Sequence, residues 1–260
     1  MCQEYENRFS KTIEGSELYK LNHRSADETT FTVSDDMAAM ISEGLHYSEV
    51  SHGAYDLTIE PLSSLWNFTS DEHVIPAEDD ITAAAERVNW KNVKLDGNTL
   101  TFLSPDTTID LGSIAKGYIA DDLAQLLVAH GVERFAINLG GNVVVRGGRP
   151  ADEASRPPVH AGDPWKIGIV NPRDPAHYRA IVDVANGSVV TSGLHERRFS
   201  KGGRTYHHIL SPVDGMPAHT DVTSATIIAD RSLDCDGYST TVLMLGMDDG
   251  LAFAESIDGV

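Results

Sequence analysis

Cysteine is nearly absent. The 260 residues hold two, Cys2 and Cys235, far apart in the chain. That excludes a disulfide framework and a CxxC metal motif, and it reads as two free thiols. Basic residues are also scarce: 20 Lys and Arg stand against 39 Asp and Glu, a formal charge of −19. Such a surface repels DNA and RNA, so no nucleic-acid partner is expected. A nucleotide can still bind where a divalent metal, a local lysine or backbone N–H groups offset its phosphates. No apolar run reaches the roughly 18–20 residues of a membrane span, and residues 1–11 lack the apolar stretch of a signal peptide. There is no internal repeat and no linker rich in Pro, Gly or Ser. GxSxG, HExxH, P-loop and Rossmann GxGxxG patterns are missing, and no protein nucleophile stands out.

What is present supports a folded enzyme-sized core, with 41% hydrophobic residues and 23% charged ones. Residues 1–11 enter mid-helix, with Tyr5 and Phe9 on one face. Ser34 is placed to cap a helix with Asp35 and Asp36 in its first turn and Met37, Met40, Ile41 and Leu45 at helical spacing. A second such stripe is Ile81, Ala84, Ala85 and Val88. Val93 to Leu103 reads as a hairpin around Asp96-Gly97-Asn98. A third helix is predicted over Ile114–His130, burying Ile119, Leu123, Leu126 and Leu127 and stopped by Gly131. Strands are expected at Phe135–Leu139, Lys166–Val170, Ala180–Val184 and Val222–Ile228, with a hairpin folding Arg197–Leu210 back at Gly202-Gly203. A last long helix covers Ser232–Leu245. Hairpin-joined strands among helices favour an α+β fold with mostly antiparallel sheets.

Several segments could carry chemistry. Asp110 to Tyr118 runs from a strand end through small residues into a helix, where N–H groups and Lys116 suit a phosphate; a plain strand–helix turn with a solvated lysine uses the same residues. Asn138-Leu139-Gly140-Gly141-Asn142 follows an apolar strand, and its glycines allow close approach of a ligand or form a tight turn. Thr191-Ser192-Gly193 offers hydroxyls at a strand end. Tyr206 to Pro212 reads as a strand that sends His207 and His208 to opposite faces, so one of them can serve a site as general base. Asp236 and Thr240, four apart on the last helix, share a face. A carboxylate and a hydroxyl are hard oxygen ligands of the kind Mg²⁺ takes, with substrate phosphates filling the shell; an Asp near a helix start beside an interior Thr is the structural alternative.

Taken together and in this order, these segments resemble the FAD:protein FMN transferases, the ApbE family. The resemblance runs from about Phe9 to Gly246. It also includes Ser10, Ser16–Asn22, Gly53-Ala54-Tyr55-Asp56, Pro61-Leu62, Trp66, Trp165 with Ile167-Gly168-Ile169, Glu196, Gly215 and Asp236-Gly237-Tyr238-Ser239-Thr240. It implies a T-fold-like α+β architecture of antiparallel sheets and packed helices. Residues 1–260 are expected to form a single FMN-transferase domain, truncated at both ends. Glu60 and Leu57 depart from the family pattern, and Gly237 inside the last helix should cost it ~1 kcal/mol.

The resemblance further implies transfer of FMN from FAD, as substrate, to a Thr or Ser hydroxyl of a target protein, with Mg²⁺ as cofactor and AMP released. Asp236 and Thr240 match the metal-binding pair, and the Ala115 carbonyl matches a third metal contact. His208 matches the catalytic base, and Lys116 falls where it can meet the phosphates. Gly53, Ala54, Tyr55, Asp56, Lys116, Asn138, Gly140, Gly141, Thr191, Ser192 and Gly193 fall where the flavin nucleotide binds. Hydrolysis of FAD to FMN and AMP, and storage of FAD without chemistry, are the alternatives. Such proteins commonly work outside the cytoplasm on a lipidated or signal-bearing anchor.

Overall fold

The computed structural model describes residues 2–257 and 259. Met1, Asp258 and Val260, at the ends where truncation is expected, lie outside the described residues. In chain order the elements are α1 (Cys2–Phe9), α2 (Glu17–Asn22), β1 (Thr30–Thr32), α3 (Asp35–Val50), α4 (Glu60–Trp66), α5 (Glu78–Ala85), β2 (Val93–Asp96), β3 (Thr99–Phe102), α6 (Ala115–Ala129), β4 (Phe135–Leu139), β5 (Asn142–Arg146), β6 (Trp165–Val170), β7 (Tyr178–Val184), β8 (Gly187–Gly193), β9 (Arg198–Lys201), β10 (Arg204–His207), β11 (Ser224–Ala229), α7 (Ser232–Leu245) and α8 (Met247–Glu255). They form two compact units. One comprises residues 1–115, 194–221 and 244–246; the other comprises 116–193, 222–243 and 247–260.

In the first unit, α3 starts where its cap dictates. Ser34 Oγ accepts the Met37 N–H, and Asp35 and Asp36 complement the helix dipole. The Ser34 hydroxyl and N–H in turn donate to Glu17, at 2.6 and 2.7 Å, which ties α2 to α3. Met37, Met40, Ile41 and Tyr47 are fully buried on the inner face. The antiparallel sheet β1-β3-β2 holds the expected hairpin. A second core gathers Leu62, Trp66, Ile81, Ala84, Phe199, Tyr206 and Leu210, with the Tyr206 ring against both Trp66 and Phe199. The Trp66 indole N–H donates to the Gly215 carbonyl at 2.8 Å, so the buried ring leaves no orphan donor.

The second unit is built on a four-stranded antiparallel sheet ordered β11-β8-β5-β4, with β6 and β7 as a separate antiparallel pair. The α+β, antiparallel expectation holds. The central strand β5 was not among the expected ones, and of β8 only the Thr191–Gly193 end was. Leu139 of β4 pairs with Asn142 of β5, leaving Gly140-Gly141 as a two-residue turn with φ of 63° and 94°. A turn with both central residues in the left-handed region is the tight hairpin that glycine supplies without strain.

Of the stripe expected on helix α6, Leu127 packs into the core, but the fully buried positions are others. Gly117 and Ala120 face inward, with Ala124 and Leu127 packed alongside Ala120 against Phe135 and Val144. Leu126 is 38% exposed. The 3-4-3 spacing of residues 117, 120, 124 and 127 is a helical stripe of mostly small residues, chosen because the helix lies close to its neighbours. Larger side chains on the adjacent stripe mimic a core face in sequence. The strand through Tyr206 is also shorter than expected. The ladder ends at His207 paired with Arg198, and His208 sits in a bend, its N–H donating to the Arg197 carbonyl at 3.1 Å. The chain then turns into the Leu210–Pro217 bridge, which ends the pairing with β9.

Candidate active site

Helix α7 carries both expected metal ligands, and its start is made from a distance. The Asp121 carboxylate of α6 accepts the N–H groups of Ser232 at 2.8 Å and Leu233 at 2.9 Å, doing the work of an N-cap from 111 residues away. Burial pushes the Asp121 carboxyl up; the two N–H groups and Arg231 pull it back, leaving it above the ordinary carboxylate range. Ser232 Oγ donates to Oδ1 of buried Asn142, which anchors the same helix start to β5. Further along, Val190, Ile227 and Cys235 form the apolar floor under α7, with Tyr238 and Val242 against it. Burial pushes the Cys235 thiol up to about 12, so it is packing rather than chemistry.

Asp236 is 4% exposed, and its Oδ2 accepts the Gly117 N–H at 2.9 Å. Gly117 is required here: a β-carbon on it would stand 2.6 Å from Leu233 Cα and 2.6 Å from the Ser232 carbonyl oxygen. The two helices meet backbone to backbone, and that contact aims a main-chain donor at the carboxylate. Thr240, one turn on from Asp236, lies 3.0 Å from Ser192 Oγ, which is also 2.8 Å from Ser239 Oγ. Thr191, one residue earlier on β8, pairs its hydroxyl with Thr226 of β11 at 2.8 Å, while Gly193 ends the strand, buried. Ala115 and Lys116 open α6, both half-buried. Asn138 is exposed beside the β4–β5 turn and accepts the Gly141 N–H at 2.9 Å. The structure therefore gathers Asp236, Thr240 and Ser192, and places Asn138, Gly140 and Gly141 at a sheet end.

In the first unit, α3 ends in paired 6→1 and 5→2 bonds. Gly53 N–H donates to Ser48 O at 2.8 Å and His52 N–H to Glu49 O at 3.0 Å, with φ of 84° at Gly53. The chain continues through half-buried Ala54 to Tyr55, whose hydroxyl is 3.0 Å from Ser113 Oγ. The Asp56 carboxylate is taken up internally by the Thr58 N–H and hydroxyl and by the Trp90 N–H, at 2.8, 2.6 and 3.0 Å. Burial still raises it above its ordinary range. Its contribution is to tie the turn at Thr58 to the backbone at Trp90. His207 is buried, and burial pushes its imidazole down toward the neutral form. His208 is half-buried.

The residues fit a magnesium ion. Asp236 and Thr240 offer two hard oxygens from one helix face, and among the described residues no group of three or more His, Cys, Asp or Glu forms a cage. Magnesium takes one or two carboxylates together with substrate phosphates, so this donor set matches its habit. Gly117, Asp121 and Ser239 escaped the sequence reading. Only the small-residue run around Gly117 and the position of Ser239 beside Thr240 hinted at them.

A family model, that of the ApbE family, matches residues 1–260. The chain belongs to the ApbE family. An ApbE relative from Treponema pallidum named FAD:protein FMN transferase is 34% identical, over all of this chain and 73% of its own length. One of the same name from Klebsiella pneumoniae is 35% identical, over all of this chain and 79% of its own. Among solved structures, the flavin transferase ApbE from Vibrio cholerae superposes with a TM-score of 0.84 at 28% identity, covering 98% of this chain and 78% of that one. The ApbE protein of Thermotoga maritima gives 0.81 at 30% identity, over 93% and 75%. No helix among the described residues is long and apolar enough to cross a membrane.

Proposed function

We propose that this ApbE chain, acting over residues 1–260 as one catalytic domain, transfers FMN from FAD to a Thr or Ser hydroxyl of a target protein. The reaction depends on magnesium and releases AMP. The names borne by the relatives support the activity. The observation that carries the metal dependence is the pairing on one face of α7 of buried Asp236 with half-buried Thr240, the carboxylate oriented by the Gly117 N–H.

Magnesium held by Asp236, Thr240 and the Ala115 carbonyl would neutralise charge on the FAD pyrophosphate and the departing AMP. Lys116 stands in the first turn of α6, where the helix dipole is already positive. A cation there is unfavourable on its own and becomes favourable beside an anion, which supports a role toward the phosphates. His208 takes the proton of the incoming hydroxyl as that oxygen bonds to the FMN phosphorus and the bond to AMP breaks. Gly53, Ala54, Tyr55 and Asp56, with Asn138, Gly140, Gly141, Thr191, Ser192 and Gly193, serve FAD binding.

The test is AMP release from FAD and Mg²⁺, with and without a flavin-accepting protein. Release that requires the acceptor, with flavin covalently retained on it, is the expected result. Release without acceptor makes the chain a hydrolase, and intact FAD recovered from the protein makes it a flavin carrier.

A further inference from the structure

The hydroxyls of Thr240, Ser192 and Ser239 stand in line, and one orientation of their protons satisfies every contact they make. Ser239 Oγ lies 3.2 Å from the Asp236 carbonyl oxygen. A carbonyl only accepts, so the single Ser239 proton is committed to it. Ser239 is fully buried and lies 2.8 Å from Ser192 Oγ. With its own proton spent, it can only accept there, so Ser192 donates to Ser239. The one Ser192 proton is now used as well. Across the 3.0 Å contact with Thr240 Oγ1, Ser192 therefore accepts and Thr240 donates.

We infer that this relay, Thr240 to Ser192 to Ser239 to the Asp236 carbonyl, is a positioning device that presents Thr240 to a cation as a lone-pair donor. A threonine hydroxyl that turned its proton toward Mg²⁺ would repel it. The relay draws the proton to the β8 side, so the Thr240 oxygen meets the cation with lone pairs. It ends on the backbone carbonyl of Asp236, within the helix that carries both ligands. Ser192 thus acts through Thr240 and is a positioning residue for the metal. This inference rests on the metal reading of the Asp236–Thr240 pair given above.

Outer partners of metal ligands typically set 10–100-fold of metal affinity. The experiment titrates Mg²⁺ by calorimetry into purified protein with saturating FAD, for wild type, Thr240→Ala, Ser192→Ala and Ser192→Thr, with a parallel FAD titration in EDTA. Ser192→Ala is expected to weaken Mg²⁺ by ~10–100-fold, and Ser239→Ala, at a residue given no part in FAD binding, to do the same with its metal-free FAD affinity at the wild-type value. Ser192→Thr keeps a hydroxyl and is expected to restore Mg²⁺ affinity. Melting curves without metal check that each variant folds, and Ser239→Ala supplies a second break in the same relay with the same expected loss. Wild-type Mg²⁺ affinity in both Ser192→Ala and Ser239→Ala, with Thr240→Ala impaired, overturns the relay and leaves the metal site standing. Weakened FAD binding in EDTA for Ser192→Ala, with unchanged Mg²⁺ affinity, also overturns it and leaves Ser192 a nucleotide contact only. A wild-type protein that binds no Mg²⁺ with FAD present removes the metal reading and the relay with it.

Discussion

The backbone N–H of Gly117 reaches Asp236 Oδ2 at 2.9 Å because Gly117 lies against the backbone of Leu233 with no room for a side chain. One contact therefore both packs α6 on α7 and orients the carboxylate proposed to hold the metal. Adding a methyl group at Gly117 cannot be absorbed by a side-chain shift, since both nearest atoms, at 2.6 Å, are main chain. Gly117→Ala is expected to cost about 1–3 kcal/mol by overpacking, or more, read from urea unfolding. The folded fraction should also lose Mg²⁺ affinity, because the N–H moves off the carboxylate. A variant as stable as wild type would mean that the helices part freely and that the close contact is incidental.

Asp236→Asn separates charge from shape. The amide oxygen still accepts the Gly117 N–H, so packing is kept, but the negative ligand is gone. Turnover at fixed Mg²⁺ should fall at least as far as the ~10–100-fold that loss of an outer partner brings, and raising Mg²⁺ should recover part of it. Steady-state AMP release across a Mg²⁺ series checks this. A fall that no Mg²⁺ concentration alters would place Asp236 elsewhere in the reaction.

Local pattern made much of this legible in advance. The bounds of α7 follow from its sequence, and the spacing of Asp236 and Thr240 alone places them on one face. The Ser34 cap and the Gly131 stop are likewise local chemistry. What could not be read is what the chain joins from afar. Gly117 and Asp236 are 119 residues apart, and Asp121 caps a helix 111 residues downstream. No periodicity reports such pairs. The buried stripe of α6 was misread for a related reason: small residues win where backbones touch, and hydrophobicity favours their larger neighbours. Strand β8, GSVVTSG, shows its Thr191–Gly193 end in sequence, but with a glycine at each end and two serines it does not announce the middle of a sheet.

The first unit should carry a carboxylate whose support fades in acid. Burial pushes the Asp110 carboxyl up, but the Lys11 ammonium at 2.8 Å, the Ser63 hydroxyl at 2.6 Å and the Gly112 N–H at 2.8 Å outweigh it and hold the group below its ordinary value. A depressed folded pKa stabilises above the unfolded value of ~3.9 and is lost as pH falls through the folded one. Asp110→Asn should cost about 3 kcal/mol at pH 7, leaving Lys11 without its charge partner, and the gap to wild type should narrow below about pH 4. Urea unfolding at pH 7, 5 and 3 tests this; a gap that widens on acidification would reverse the assigned sign. Asp56 and Asp121, raised by burial, tilt the other way: their folded form gains from protonation, so their contribution is fullest below ~3.9 and declines as pH rises through their higher folded values.

Adjacent histidines allow the base to be tested against its own neighbour. His207 is buried, with its imidazole pushed toward neutrality, while His208 stands half-buried in the bend just past β10. Removing a positioned general base costs roughly 10²–10⁴ in rate. His208→Ala should therefore lower FMN transfer by that factor with the FAD dissociation constant nearly unchanged, because the proton moves only in the transition state. His207→Ala should act on stability instead, by a few kcal/mol of lost packing, with turnover per folded molecule close to wild type. Single-turnover transfer and fluorescence titration of FAD on both variants separate the two roles. If the rate loss followed His207 and spared His208, the base would be the buried imidazole and the bend would serve only to end the strand.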